Sequence, residues 1–222
     1  MKRYIIPALE TRTEITMINS RFIATIAPVF NVDEAKLFIQ KIKTEFDNAS
    51  HNVPAFIIGH GASITTHCND DGEPSGTAGR PALAVLQGSV IGDAGVVITR
   101  YFGGTKLGKG GLVRAYGDAV RAVLNVVPLA EKVSTDTVMI AFPYSHFDRV
   151  KLLIQAHQGK ILDNEFGEDI TLTCQFATEC FPNFQGALSE MTHGTLIAEI
   201  IETNPDTILP ISSSLPVKEV DK

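Results

Sequence analysis

No stretch of this 222-residue chain approaches the roughly 20 consecutive apolar residues that a membrane-crossing helix needs. The opening Met1-Lys2-Arg3-Tyr4-Ile5-Ile6 meets Pro7 and Glu10 before any signal-peptide core develops, so the expected location is the cytoplasm and no membrane partner is expected. Cysteine is scarce. Cys68, Cys174 and Cys180 form no Cys-x-x-Cys pair, which supports neither a disulfide framework nor a zinc site. Positive charge is not in excess either: 19 Lys+Arg stand against 25 Asp+Glu, net −6, which argues against bulk affinity for nucleic acid. Finally, no Ser-His or Cys-His arrangement identifies a nucleophile and its base, so a non-enzymatic role is expected, with no cofactor.

What the chain does have is glycine and charge gathered in two segments. The first is Asp70-Asp71-Gly72-Glu73-Pro74-Ser75-Gly76-Thr77-Ala78-Gly79-Arg80-Pro81. The second, after one apolar strand, runs from Arg100-Tyr101-Phe102-Gly103-Gly104 through Lys106, Gly108-Lys109-Gly110-Gly111 and Arg114 to Tyr116-Gly117. Each fixed glycine costs more backbone entropy than alanine, up to about 1 kcal/mol, so two such loops point to a working surface rather than to core construction. The charge is also divided. Residues 1–130 hold 13 Lys+Arg against 11 Asp+Glu, whereas residues 131–222 hold 6 against 14. Residues 100–121 alone carry Arg100, Lys106, Lys109, Arg114 and Arg121 against Asp118, a local concentration suited to an anion, unless Asp118 pairs with Arg114 and Arg121 at helical spacing on a solvated face.

With 44% hydrophobic residues, a chain of this length can bury two modest cores, and the periodicities predict an α+β protein of two domains. Residues 10–18 and 21–28 read as a hairpin turning at Asn19-Ser20. Asn31 with Glu34 resembles a capping box for a helix to about Asp47. Strands are expected at 52–59 and Ala94 to Ile98, a short helix at 79–88 opened by Thr77 and Pro81, and an amphipathic helix from Leu112 to Val127. Beyond residue 130 the order is strand 133–142, helix Ser145 to His157 capped by Ser145 and Asp148, strands 159–165 and 169–178, helix 182–192 and strand 195–202. That β-α-β-β-α-β order predicts a ferredoxin-like unit over 131–203. Residues 204–222, with three prolines and a serine run, read as a flexible tail.

The loops admit several chemistries. The segment 103–112 leaves a strand and opens a helix, so its N–H groups can face a phosphate with Lys106 and Lys109 adding charge; a tight strand-to-helix connection is the alternative. Gly103-x4-Gly108-Lys109 spells a P-loop up to its last position, where Gly110 replaces the magnesium-binding hydroxyl, and the true P-loop is rejected. Asp70, Asp71 and Glu73 fit a turn in which Asp side chains bond the backbone, a magnesium site, or acid–base work. Ser75 and Thr77 fit an anion cradle or a helix cap, with Thr77 as the cap. Should the loops converge, Arg80, Arg100, Lys109 and Arg114 would line one surface, with Tyr101 and Phe102 open to stacking on bases. Tyr116 lies on the apolar stripe of its helix and reads as core.

Ser20-Arg21-Phe22, His51-Asn52, Asp70 to Pro81 and Arg100 to Tyr116 together resemble the signature of the IMPACT family, and the two-domain length resembles its bacterial YigZ-like branch. The resemblance covers residues 1–203, with the diagnostic motifs in residues 1–130. It implies a first domain like domain 2 of ribosomal protein S5 and a second like domain V of elongation factor G. Eukaryotic relatives are regulators of translation, so the resemblance implies a translation-associated protein binding RNA or a ribosome-associated protein, or a phosphate-bearing ligand. An enzyme acting on a phosphorylated small molecule and a purely protein-binding module are the alternatives. Val53 and Lys109 depart from the family pattern, the second by adding charge to the loop.

Overall fold

The computed structural model describes residues 3–61 and 63–211, which divide into two compact units, Tyr4–Glu131 and Lys132–Leu209. In the first unit a five-stranded antiparallel sheet has the order β2-β3-β6-β4-β5. Its strands are β2 (Thr11–Met17), β3 (Ser20–Pro28), β4 (His51–His60), β5 (Ser63–Cys68) and β6 (Ala94–Tyr101). Helix α1 (Val32–Glu45) covers one face, with Ala35, Phe38 and Ile42 on Val29, Phe56 and Val97. Helices α2 (Gly79–Gly88) and α3 (Gly108–Leu124) cover the other, where Leu86, Leu112, Tyr116 and Val120 meet Phe22, Ala24, Ile26, Val53 and Ile98. Covered on both faces, β6 is buried from Ala94 to Arg100, which is why its sequence is a continuous apolar run rather than an alternation.

The capping box at α1 is present: Glu34 N donates to Asn31 Oδ1 at 2.8 Å. The hairpin turns at Ile18-Asn19, both at positive φ, one residue earlier than expected, so Ser20 already stands in β3. Two strands lie outside the sequence expectation, β5 and the short β1 (Tyr4–Pro7), after which Ala8 N donates to Pro128 O.

The second unit holds the later part of β7 (Leu129–Phe142), then α4 (Phe147–Ala156), β8 (Lys160–Phe166), β9 (Ile170–Ala177), α5 (Phe181–Met191) and β10 (Glu199–Pro210). Within this unit β9 pairs with β7 and β8, and β10 pairs with β7, a split β-α-β arrangement. Val138, Ile140, Phe142, Leu172, Cys174 and Phe176 point to one side, where Val150 and Ile154 of α4 and Phe184 and Leu188 of α5 close the core.

Two sequence expectations are corrected here. Ser145 does not cap α4; a 3-10 turn (Tyr144–His146) precedes the helix, and Ser145 Oγ lies 3.2 Å from His146 Nδ1. Residues 204–210 are strand rather than tail. Thr203 Oγ1 donates to Asp136 at 2.7 Å and the Thr207 and Thr135 hydroxyls meet at 2.6 Å. Pro205 is tolerated because β10 lies on the edge of the sheet, where a missing N–H costs no ladder bond. The remainder of the expected tail, 212–222, lies outside the described residues.

Candidate functional site

Antiparallel pairing brings the two signature loops to one end of the first sheet. Arg21 of β3 stands opposite Tyr101, and His51 of β4 opposite Arg100. The acidic loop leaves β5 after Cys68, which pairs with Ala55 near the same end of β4. The glycine-rich loop leaves β6 after Tyr101.

The acidic loop is folded around its own carboxylates. Asp70 accepts N–H bonds from Gly76 at 2.8 Å, Ala78 at 3.1 Å and Gly79 at 2.8 Å. This aspartate therefore caps α2. Thr77, expected in that role, is buried and donates to the Pro74 carbonyl at 2.6 Å; with Ala78 in the cap position, only a residue looping back from before the turn can reach the free amides. Gly79 is required here, since a Cβ would sit 2.7 Å from the Asn69 carbonyl oxygen. Asp71 accepts from Asn52 N at 2.7 Å and from Lys43 Nζ at 2.5 Å, and its carbonyl faces His51 Nδ1 at 2.8 Å. Burial pushes both aspartates up, but the three amides with Arg80 nearby for Asp70, and Lys43 with the Asn52 amide for Asp71, outweigh it and hold both below the usual carboxylate range. Ser75 is exposed.

Glu73 is the bridge between the loops. Its side chain is 3% exposed, and Oε1 accepts from Arg100 Nη1 at 2.5 Å and from the Tyr116 hydroxyl at 2.8 Å. His51 Nε2 lies 3.8 Å from the same oxygen. Burial first, and then the charge of Glu73, raise the Tyr116 phenol far above its ordinary value, so it is a fixed neutral donor. Arg100 also donates to Ser20 Oγ at 3.3 Å, and Gly103 N donates to the same hydroxyl at 3.2 Å. One serine thus ties the buried arginine to the start of the glycine-rich loop. Gly103 packs so closely on the β2–β3 turn that a Cβ would overlap the Asn19 carbonyl oxygen. Asn52, inside this end of the sheet, accepts from Thr99 Oγ1 at 2.7 Å.

The expected site residues therefore separate. Arg100 is buried and consumed by Glu73 and Ser20, so it orders the loop and does not reach a surface ligand. Its neighbour Tyr101 is half-buried, donates to Asn48 Oδ1 at 2.8 Å and lies beside the Arg21 guanidinium. Phe102 is 48% exposed, with Arg100 5.5 Å from its ring centroid. Gly104, Lys106, Gly108, Lys109, Gly110 and Arg114 are exposed, Gly103 and Gly111 half-buried. Asp118 pairs with Arg121 at 2.6 Å. No ion pair engages Lys106, Lys109 or Arg114 among the described residues. Helix α3 starts at Gly108 with no side-chain cap and no acidic residue in its first turn, so its leading amides and positive end face outward beside three unpaired cations. Arg80 is exposed close to Asp70.

Asp70, Asp71 and Glu73 spend their oxygens on amides, Lys43, Arg100 and Tyr116, an arrangement that shapes the loop. Among the described residues no group of three His, Cys, Asp or Glu side chains gathers to hold a metal. Ser20, Asn52, Lys43 and the Tyr116 hydroxyl belong to this architecture without having been expected there. Ser20 and Asn52 stand inside the signature segments, whereas Lys43 has no local signal.

Two α+β units, the first with an internally clasped acidic loop beside an uncapped cationic helix start, define the class. The profile described as the Impact N-terminal domain matches residues 18–124, and a domain of unknown function, DUF1949, matches residues 140–195. An IMPACT family member of Haemophilus influenzae is 34% identical over 203 residues, 91% of this chain and 98% of that protein. The Escherichia coli IMPACT family member YigZ is 32% identical over 91% of this chain and its own full length. A crystal structure of a hypothetical protein, 32% identical, superposes with a TM-score of 0.60 over 91% of this chain and 98% of that one. The chain belongs to the IMPACT family. Among the described residues no helix is long and apolar enough to cross a membrane.

Proposed function

We propose that this chain is a translation-associated regulatory protein that binds RNA or a ribosome-linked partner through the glycine-rich loop of its first domain, without covalent chemistry. In this reading residues 1–130 form an S5 domain 2-like binding domain and residues 131–203 a domain resembling domain V of elongation factor G. The observation that carries it is the set of exposed cations without ion pairs among the described residues, Lys106 and Lys109 at the uncapped start of α3 and Arg114 further along the same helix. Phosphate is the anion that such a geometry receives best. Exposed Phe102 supplies a ring for base stacking.

Co-sedimentation with ribosomes and separated subunits across a salt series tests the reading. Association should weaken as salt rises, and Lys109→Ala with Arg114→Ala should weaken it further, lowering the slope of log affinity against log salt by about one for each phosphate contact removed. Salt-independent association, or full association by the folded double variant, refutes it.

A further inference from the structure

Both helices of the second unit lie on one face of its sheet. Helices α4 and α5 pack on the inward rows of β7 and β9. The register then places Met139 and Ala141 of β7 in rows with Thr173 and Thr171 of β9, and these with Asp163 and Glu165 of β8, on the opposite face. A cavity of about 430 Å³ on this face includes Met139, Ala141, Glu165, Ile197 and Glu199 in its lining. Met139 is 40% exposed and Ile197 67%. Glu165 and Glu199 form no ion pair among the described residues. Lys160 of β8 stands opposite Gln175 at the far end.

Exposed apolar side chains alone are ordinary on a protein surface, and so are exposed carboxylates. Their combination in one concavity narrows the occupant. An apolar floor flanked by two unneutralised carboxylates complements a segment that presents aliphatic groups and cations together, and it repels the phosphates of a nucleic acid. We propose that this face docks a basic amphipathic segment of a protein partner, in which Lys or Arg and apolar residues share one face, so that the cations meet Glu165 and Glu199 while the apolar side chains cover Met139 and Ile197.

Fluorescence anisotropy of the full chain with a labelled ten-residue peptide in which pairs of lysines alternate with pairs of leucines, so that each face carries both, tests the assignment. Saturable binding is expected, weakened about tenfold by Glu165→Lys with Glu199→Lys, lost when glutamate replaces lysine in the peptide, and unchanged by Lys109→Ala with Arg114→Ala. If circular dichroism shows the reversal variant misfolded, Glu165→Gln with Glu199→Gln gives the same test with a smaller loss. Equal binding of the acidic peptide, or undiminished binding by a folded carboxylate variant, overturns the proposal.

Discussion

Replacing Glu73 by Gln should be among the most damaging single changes in the first unit, although Gln keeps the shape. The carboxylate is 3% exposed and the Arg100 side chain 6%, with 2.5 Å between Oε1 and Nη1. Arg100 lies against Phe22, its guanidinium carbon 5.4 Å from the ring centroid. Removing the negative charge strands a guanidinium with little access to water, and breaking a buried pair from one side costs about 3–5 kcal/mol. By contrast, the exposed Arg121–Asp118 pair, 60% and 41% accessible, should contribute at most about 1 kcal/mol. Urea unfolding followed by tyrosine fluorescence is a suitable assay, because the chain has four tyrosines and no tryptophan to mask them, and Tyr4, Tyr101 and Tyr116 all lie in the first unit. With a slope of about 1–3 kcal/mol per M, the midpoint should fall by roughly 2 M. Glu73→Leu with Arg100→Met removes both charges and should be less damaging than the two single changes summed. A midpoint for Glu73→Gln within about 0.5 M of the parent, or strictly additive losses in the cycle, would refute the claim that the clasp is a mutually dependent buried pair.

Gly103→Ala should destabilise the first unit by more than about 2 kcal/mol, because the new Cβ falls on a backbone oxygen of Asn19 and the β2–β3 turn must move; the same urea titration checks it, and an unchanged midpoint would show that the turn yields freely. The acid dependence of stability follows from Asp70 and Asp71, whose pKa values are lowered in the folded state. Groups of that kind contribute stability above their unfolded pKa, near 3.9, and lose it as pH falls through the folded values. Stability should thus be insensitive to these groups between about pH 5 and pH 7 and fall below about pH 4, with Asp70→Asn flattening the acid slope; an unchanged slope in that variant would contradict the amide cradle.

Elements with a strong local pattern were legible in the sequence. The apolar stripe of α3 and the β-α-β-β-α-β order of the second half followed from period, and the strand at Ala94 to Ile98 from its continuous apolar run. The failures share a physical cause, namely partners distant in sequence. β5 reads Ser63-Ile64-Thr65-Thr66-His67-Cys68 without a clear alternation because it is a largely exposed edge strand, defined by pairing with β4. Residues 204–210 look like a tail until β10 pairs with β7 and the Thr207 hydroxyl meets that of Thr135, 72 positions away. Arg100 precedes a glycine-rich loop, which resembles a phosphate contact; its burial is decided by Glu73 and Tyr116, which no spacing rule connects to it.

The loops divide their charges in a way that bears on binding. Each carboxylate of the acidic loop is satisfied internally: Asp70 by amides, Asp71 by Lys43 and an amide, Glu73 by Arg100 and Tyr116. Lys106, Lys109 and Arg114 form no ion pair among the described residues. Committed in this way, these carboxylates make no ion pair with Lys106, Lys109 or Arg114. Internal capture of the negative charges therefore holds the loop in shape and leaves its positive charge uncompensated. A loop already ordered in this way loses less conformational entropy when an anion arrives, and that saving appears directly as affinity. The buried clasp at Glu73 and the exposed cations thus act in sequence: Arg100 and Ser20 fix where the loop begins, and the start of α3 presents what it carries.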